Sequence, residues 1–269
     1  MVSHPEPTPS WALRASRDLA EWCDARLSTV LSQTHIPPVS NWLASKLVHA
    51  DDLIASENAR SREAGLALFQ EIAGILPACR LGEQFLIDHG PIGDPIEPAH
   101  LARTHDLTVM PVWPEFAWQL AAQGLVFDSG RPVLLLPQSN SEQTRFDDII
   151  IGWDGSRSAS RALAGALPFC RMAQTVRLVA VSGDKAFDPI AALSQAQRHL
   201  EYHSVISSIE EIPSAGRNAG DVLLERAKEN GASLLVMGGY GHSRVREFVL
   251  GGATRTVLNE PGTATLMVH

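Results

Sequence analysis

The sequence predicts an α/β protein made of two successive domains, each a parallel sheet with helices on both faces. Three observations carry this. In the second half, short apolar runs alternate with helical stretches of about a dozen residues, the pattern of strands buried on both sides. A stretch of the first half repeats it: Asp94 stands sixteen positions before Met110 as Asp221 stands sixteen before Met237, so that DPIEPAHLARTHDLTVM lies over DVLLERAKENGASLLVM. And 269 residues are enough for two domains that could each bury a core.

The second half is the clearer copy. Asp148–Gly152 (DIIIG) is an apolar first strand, and Trp153-Asp154-Gly155-Ser156 a turn into a helix over about Ser158–Cys170. That helix gathers Ala162, Leu163, Ala166, Leu167 and Phe169 on one side. Val176–Ser182 is the second strand, Ile190–Tyr202 a helix, and the chain is extended again near Val205–Ile212. Ala219–Asn230 is a helix stopped by Gly231. Leu234–Met237 is the fourth strand and Ala264–Val268, after Pro261-Gly262, the fifth.

The first half follows the plan less completely. Trp22-Cys23 closes a helix as Phe169-Cys170 does, Leu27–Leu31 is a strand, Asp51–Leu76 a long helical stretch with a break expected at Gly65, and Phe85–Asp88 and Val133–Leu136 are strands. A first strand is not legible: MVSHPEPTPS has three prolines in its first nine residues, unsuited to a central strand. The expected result is a domain over residues 1–137 that lacks its first strand, has a gap in its sheet, and is the less stable of the two. Gln138–Arg145 (QSNSEQTR) is a polar linker, short enough that the domains pack on each other. The second domain is residues 146–269.

The most informative stretch is Leu234–Leu258, LLVMGGYGHSRVREFVLGGATRTVL. A buried strand breaks into Gly238-Gly239-Tyr240-Gly241, and Gly251-Gly252 then opens a helix to Asn259. Glycines let backbone approach a ligand, and a helix N-terminus offers free N–H groups with partial positive charge, a combination that favours phosphate oxygens. His242, Arg244, Arg246 and Arg255 add local positive charge to a chain of formal net charge -8. The dinucleotide fingerprint G-x-G-x-x-G fails, because Arg244 stands where its third glycine belongs, and no Gly-Lys-Ser/Thr is present. In the first half the same strand exits into Pro111-Val112-Trp113-Pro114. Proline there removes donors and restricts φ, so no equivalent pocket is expected.

The spacing of Gly238, Gly241 and Gly251, a glycine, two residues, a glycine, nine residues, a glycine, resembles the nucleotide motif of the universal stress protein family. The chain is similar to tandem members of that family, with a clear second half and a degenerate first. The resemblance implies two flavodoxin-like, Rossmann-like domains with five-stranded parallel sheets that pair as single-domain members do in dimers, as a homodimer or as an intramolecular pseudo-dimer. It also implies an adenine-nucleotide site, for ATP with Mg2+ or a relative. In that site Asp154 approaches the ribose and adenine, Gly152 and Val181 line the base, and Met237 and Gly238 close over the nucleoside. Gly241, Gly251, Gly252 and Ala253 present backbone to the phosphates. The chain departs from the family at Gly252, where nucleotide binders carry Ser or Thr; Thr254 is close enough to substitute a hydroxyl. Trp153 and Tyr240 are candidates to stack on a base. Each of these residues also has a structural reading: Asp154 as a turn former, Val181 and Met237 as core, the glycines as close-packing points.

Little else points to chemistry. No G-x-S-x-G elbow occurs, nor an H-x-G-H or S-G-G-x-D-S signature of a nucleotidyl-transferring enzyme. Asp154 and Glu247 are the acidic candidates near phosphates and His242 the candidate proton carrier, so slow ATP hydrolysis is the most expected of it. Cys23, Cys79 and Cys170 lie far apart and read as reduced thiols. The ten histidines read as scattered, and no metal site is expected. The acidic balance argues against a general nucleic-acid binder. No run is long enough to span a bilayer and no signal-peptide order is present, so a cytoplasmic protein without membrane contact is expected. Two functions of different class stay open, a nucleotide-binding sensor in the stress response and a nucleotide-free interaction scaffold.

Overall fold

The computed structural model describes residues 1–3, 8–37, 50–89, 96–113, 119–140, 145–183, 188–239 and 252–269. Strands β1 (Val2–Ser3), β2 (Leu27–Thr34) and β3 (Leu81–His89) form one parallel sheet in the order β1-β2-β3. Seven strands form a second: β4 (Thr108–Val112), β5 (Val133–Pro137), β6 (Asp148–Gly152), β7 (Thr175–Ser182), β8 (Ser208–Pro213), β9 (Leu234–Gly238) and β10 (Thr265–Val268), in the order β4-β5-β10-β9-β6-β7-β8. The described helices are α1 (Ser10–Trp22), α2 (Ala50–Ile75), α3 (Ile96–Ala102), α4 (Gln119–Asp128), α5 (Arg157–Cys170), α6 (Pro189–Tyr202), α7 (Ala219–Glu229) and α8 (Gly252–Asn259).

Within the second half the order β10-β9-β6-β7-β8 is a doubly wound sheet with all pairings parallel. Its central runs are apolar because both faces are covered: Ile149, Ile150, Ile151, Leu178, Leu234, Leu235 and Val236 are all buried. The outer strand β8 is half-exposed, and Glu210 on it is held by Arg226 of α7 at 2.5 Å. Charge on an open edge discourages pairing with another chain. The two halves meet at β5 and β10, which are antiparallel, with Leu134 opposite Leu266 and Leu135 opposite Thr265.

The first half does possess a first strand, as a stub. Val2 and Ser3 pair with Val30 and Leu31 and are buried, but β1 has no ladder to β4, so the sheet is split at this point. The reason is partly chemical. Thr108 N–H donates to Pro132 O, and N–H groups alternate sides along a strand. Position 111 therefore faces away from β5, and Pro111 has no donor to give there. Helix α2 runs unbroken through Gly65; a β-carbon at that glycine would lie 2.8 Å from Leu86 Cδ1, so the glycine lets α2 press against β3. Strand β8 begins later than the apolar run suggests, because Val205 is buried in the turn after α6.

The halves do not keep separate cores. One buried cluster joins Trp11, Val109, Leu134 and Leu136 to Ile149, Leu163, Leu178 and Leu266. A second joins Val30, Met110 and Leu135 to Ile150, Leu235 and Met267 on the other face. Among the described residues, only the cluster of Leu13, Leu27, Leu31, Leu68 and Ile72 belongs to the first half alone.

Burial sorts the three cysteines. It pushes the Cys170 thiol up to about 12 and the Cys23 thiol up to about 11, whereas Cys79 is exposed. The thiolate is the reactive form, so iodoacetamide at about pH 8 is expected to alkylate Cys79 in the native protein and all three in denaturant, read by intact mass. Prompt native labelling of Cys170 would mean that the α5 core is open.

Candidate functional site

The strands β6, β7 and β9 end together on one edge of the seven-stranded sheet, and helices α5, α7 and α8 begin there. This is where the strand order reverses, between β6 and β9, and where ligands of doubly wound sheets bind. The starts of α5 and α7 each have a sequence-coded reason. After β6, Trp153 N–H donates to Val179 O at 2.8 Å and Asp154 Oδ1 accepts from Ser156 N–H at 3.0 Å. Gly155 takes φ +72, which suits glycine in such a turn. Ser156 Oγ then caps α5 by accepting from Ala159 N–H at 3.1 Å. Asn218 caps α7 by accepting from Gly220 N–H at 2.9 Å.

The glycines allow these elements to touch. A β-carbon on Gly238, the last residue of β9, would lie 2.5 Å from Ala159 N and 2.6 Å from Ser158 C. One on Gly239 would lie 2.9 Å from Val126 Cγ1 of α4, so the first half flanks the exit of β9. One on Gly152 would meet Leu223 Cδ1 of α7 at 2.7 Å, and one on Gly220 would meet Ala253 Cα and O at 2.7 Å, so Gly220 lets α7 and α8 pack closely. One on Gly252 would lie 2.5 Å from Asn218 Nδ2.

The site residues expected from the sequence divide as follows. Gly152, Asp154, Val181, Met237, Gly238, Gly252 and Ala253 gather at this edge, with Val181 half-buried and Met237 buried in the core. Thr254 is buried too, at 2% exposure. Gly241 and Gly251 lie outside the described residues, as do Tyr240, His242, Arg244, Arg246 and Glu247. Trp153 packs against the core on the α5 side, with its Nε1 buried and without a partner. Sequence reasoning passed over Asn218, Gly220 and Ser158; the first was detectable as a helix cap before an apolar periodic run, but its neighbour Gly252 was not. Two exposed cations, Arg157 and Arg161, stand on the first turns of α5. They show in His269 beside them: burial, then Arg161 and Arg157, hold its imidazole below the ordinary value, against the pull of Asp128.

The histidines are not all scattered. His199 and His203 stand one helical turn apart with ring centroids 4.8 Å apart, and Arg171 Nη2 lies 3.1 Å from His203 Nδ1. A guanidinium at that distance opposes a bound cation. Among the described residues no group of three His, Cys, Asp or Glu side chains could hold a metal ion, and no helix is long and apolar enough to cross a membrane.

The model of the universal stress protein family matches residues 145–269. The second half of the chain thus matches the universal stress protein family model. A curated relative, universal stress protein Slr1230 of Synechocystis, is 27% identical over 138 residues, which are 51% of this chain and 46% of that protein. The chain thus spans about half the length of the curated relative it matches. Among solved structures, a universal stress protein from Archaeoglobus fulgidus matches over 99% of this chain and 97% of its own, with TM-score 0.64 and 15% identity. A Pseudomonas aeruginosa UCBPP-PA14 protein placed in the same family matches over 99% and 91%, with TM-score 0.55 and 15% identity. At that identity the likeness is one of fold, and it extends the universal stress protein architecture across both halves.

Proposed function

We propose that this chain is a universal stress protein, a regulator of the stress response that binds ATP or a related adenine nucleotide in its second half, with Mg2+ carried on the phosphates, and that occupancy alters the surface it offers to partners. The observation that carries the reading is the meeting of the α7 and α8 N-termini at the carboxyl ends of β6 and β9, with the exposed Gly252 at the start of α8. Unpaired first-turn N–H groups and the helix dipoles favour phosphate oxygens. The residues present suit such a ligand. Asp154 stands at the exit of β6 for the ribose and base, Val181 and Met237 offer an apolar wall, and Gly252 and Ala253 offer backbone. Gly241 and Gly251, outside the described residues, are assigned to the phosphates on their spacing in the sequence. The role of the first half is to pair with the second, as β5 does with β10.

The test is nucleotide released from the heat-denatured purified protein, followed by thermal unfolding with and without ATP and Mg2+. Ligand at one hundred times its Kd stabilises by about 2.7 kcal/mol, a readily measured rise in Tm. The rise is expected to vanish in Gly241→Val, whose side chain obstructs backbone approach. No released nucleotide and no rise at millimolar ATP would overturn the reading.

One observation favours a second reading, the nucleotide-free scaffold. Gly152, Gly238 and Gly252 each have a close neighbour that a β-carbon would strike, so packing alone accounts for them. On that reading the chain works through domain pairing and partner docking.

A further inference from the structure

We propose that Asn218 is a specificity-determining residue of this site: its side-chain amide donates to the ligand's phosphate oxygens at the start of α8, in the space that a hydroxyl side chain at position 252 would need. The inference rests on the nucleotide reading and deepens it. Asn218 Oδ1 is fixed by the Gly220 N–H at 2.9 Å, which sets the plane of the amide and turns Nδ2 towards α8. There Nδ2 lies 2.5 Å from the ideal β-carbon position of Gly252 and 3.4 Å from Thr256 Oγ1. An amide nitrogen has two hydrogens, and the long contact to Thr256 takes one. The other belongs to a group beside the exposed Gly252 backbone, where the first N–H groups of α8 have no partner within the helix.

The two positions are therefore one choice. Serine or threonine at 252 would place its β-carbon on the Asn218 amide, and the amide cannot retreat without giving up the cap of α7. Separating the helices would give up the close packing of Gly220 against Ala253. A glycine at 252 thus marks an exchange of one neutral donor for another. Thr254, the other hydroxyl nearby, is buried.

Isothermal titration of the full-length chain with ATP and Mg2+, and separately with adenosine, tests this. Serine and aspartate both cap helices, so Asn218→Ser and Asn218→Asp both keep α7, with thermal unfolding as the check. Asn218→Asp removes the donor outright, and Asn218→Ser withdraws it from α8 because the shorter hydroxyl is held at the cap. Asn218→Ser is expected to bind ATP up to about tenfold more weakly, the worth of one hydrogen bond, with adenosine binding unchanged. Asn218→Asp is expected to lose more, because a carboxylate meets the phosphates as a like charge. Gly252→Ser alone is expected to bind ATP no tighter than wild type, and the double variant Asn218→Ser with Gly252→Ser to recover affinity over Asn218→Ser. If wild type binds ATP and both Asn218 variants bind it equally well, the Asn218 assignment falls and the nucleotide reading stands. If wild type does not bind ATP, both fall.

Discussion

Gly238→Ala is expected to lower the stability of the protein by about 3 kcal/mol, the upper part of the ordinary range for overpacking. The added methyl would meet main-chain atoms, Ala159 N and Ser158 C, at 2.5 and 2.6 Å. A flexible side-chain tip can rotate away from such a contact; a backbone amide inside the first turn of α5 cannot. The turn is fixed by Ser156 Oγ on the Ala159 N–H, so relief would cost either that cap or the register of β9 against β6. For a chain of this size the corresponding fall in Tm is roughly 6–12 °C. Differential scanning calorimetry measures it, and a variant melting within a degree of wild type would show that β9 and α5 do not approach so closely. By contrast Gly262→Ala, at a glycine with open space around its β-carbon position, is expected to leave Tm nearly unchanged.

That contrast bears on what the sequence could disclose. The glycine spacing after Leu234–Met237 was legible as a pattern, and so was the edge of the sheet it lies on. Why each glycine is a glycine was not, because the answer lies in contacts such as Gly238 with Ala159, or Gly252 with Asn218, between residues far apart in the chain. The strands β6, β7 and β9 were readable because burial on both faces demands an unbroken apolar run. Strand β8 was placed early for the converse reason: at an edge it alternates, with Glu210 and Glu211 inside it, while the apolar Val205 before it serves the turn after α6. The stub β1 is too short to give any period, and prolines close behind it obscure even the burial of Val2. The shared core was also hidden. Separate copies of a repeat suggest separate cores, and only the antiparallel meeting of β5 with β10 shows that the copies close on each other.

The same meeting predicts how the molecule unfolds. Leu266 is wholly buried on β10, opposite Leu134 of the first half and Val236 of the second, and it belongs to a cluster drawn from both. Leu266→Ala is expected to cost about 2–5 kcal/mol through lost transfer energy and the cavity left behind. Because the residue serves both halves, the loss should appear in both at once. Tryptophan emission reports mainly the first half, since Trp153 is the only tryptophan after residue 137, and amide exchange of peptides from β6 and β9 reports the second. In urea the two probes are expected to share one midpoint in wild type and a lower shared midpoint in the variant. Only the outer layer of β2, β3 and α2, which packs in the cluster of Leu31, Leu68 and Ile72, is free to open earlier, as a local unit. Midpoints that separate, with the second half melting while emission from the first persists, would mean that the β5–β10 seam joins two independent bodies. The first half would then be an appendage to the half that carries the proposed site and not part of its support. A shared midpoint makes the proposed site mechanically dependent on the first half, whose own strand exit carries Pro111 and Pro114 where the second half carries glycines.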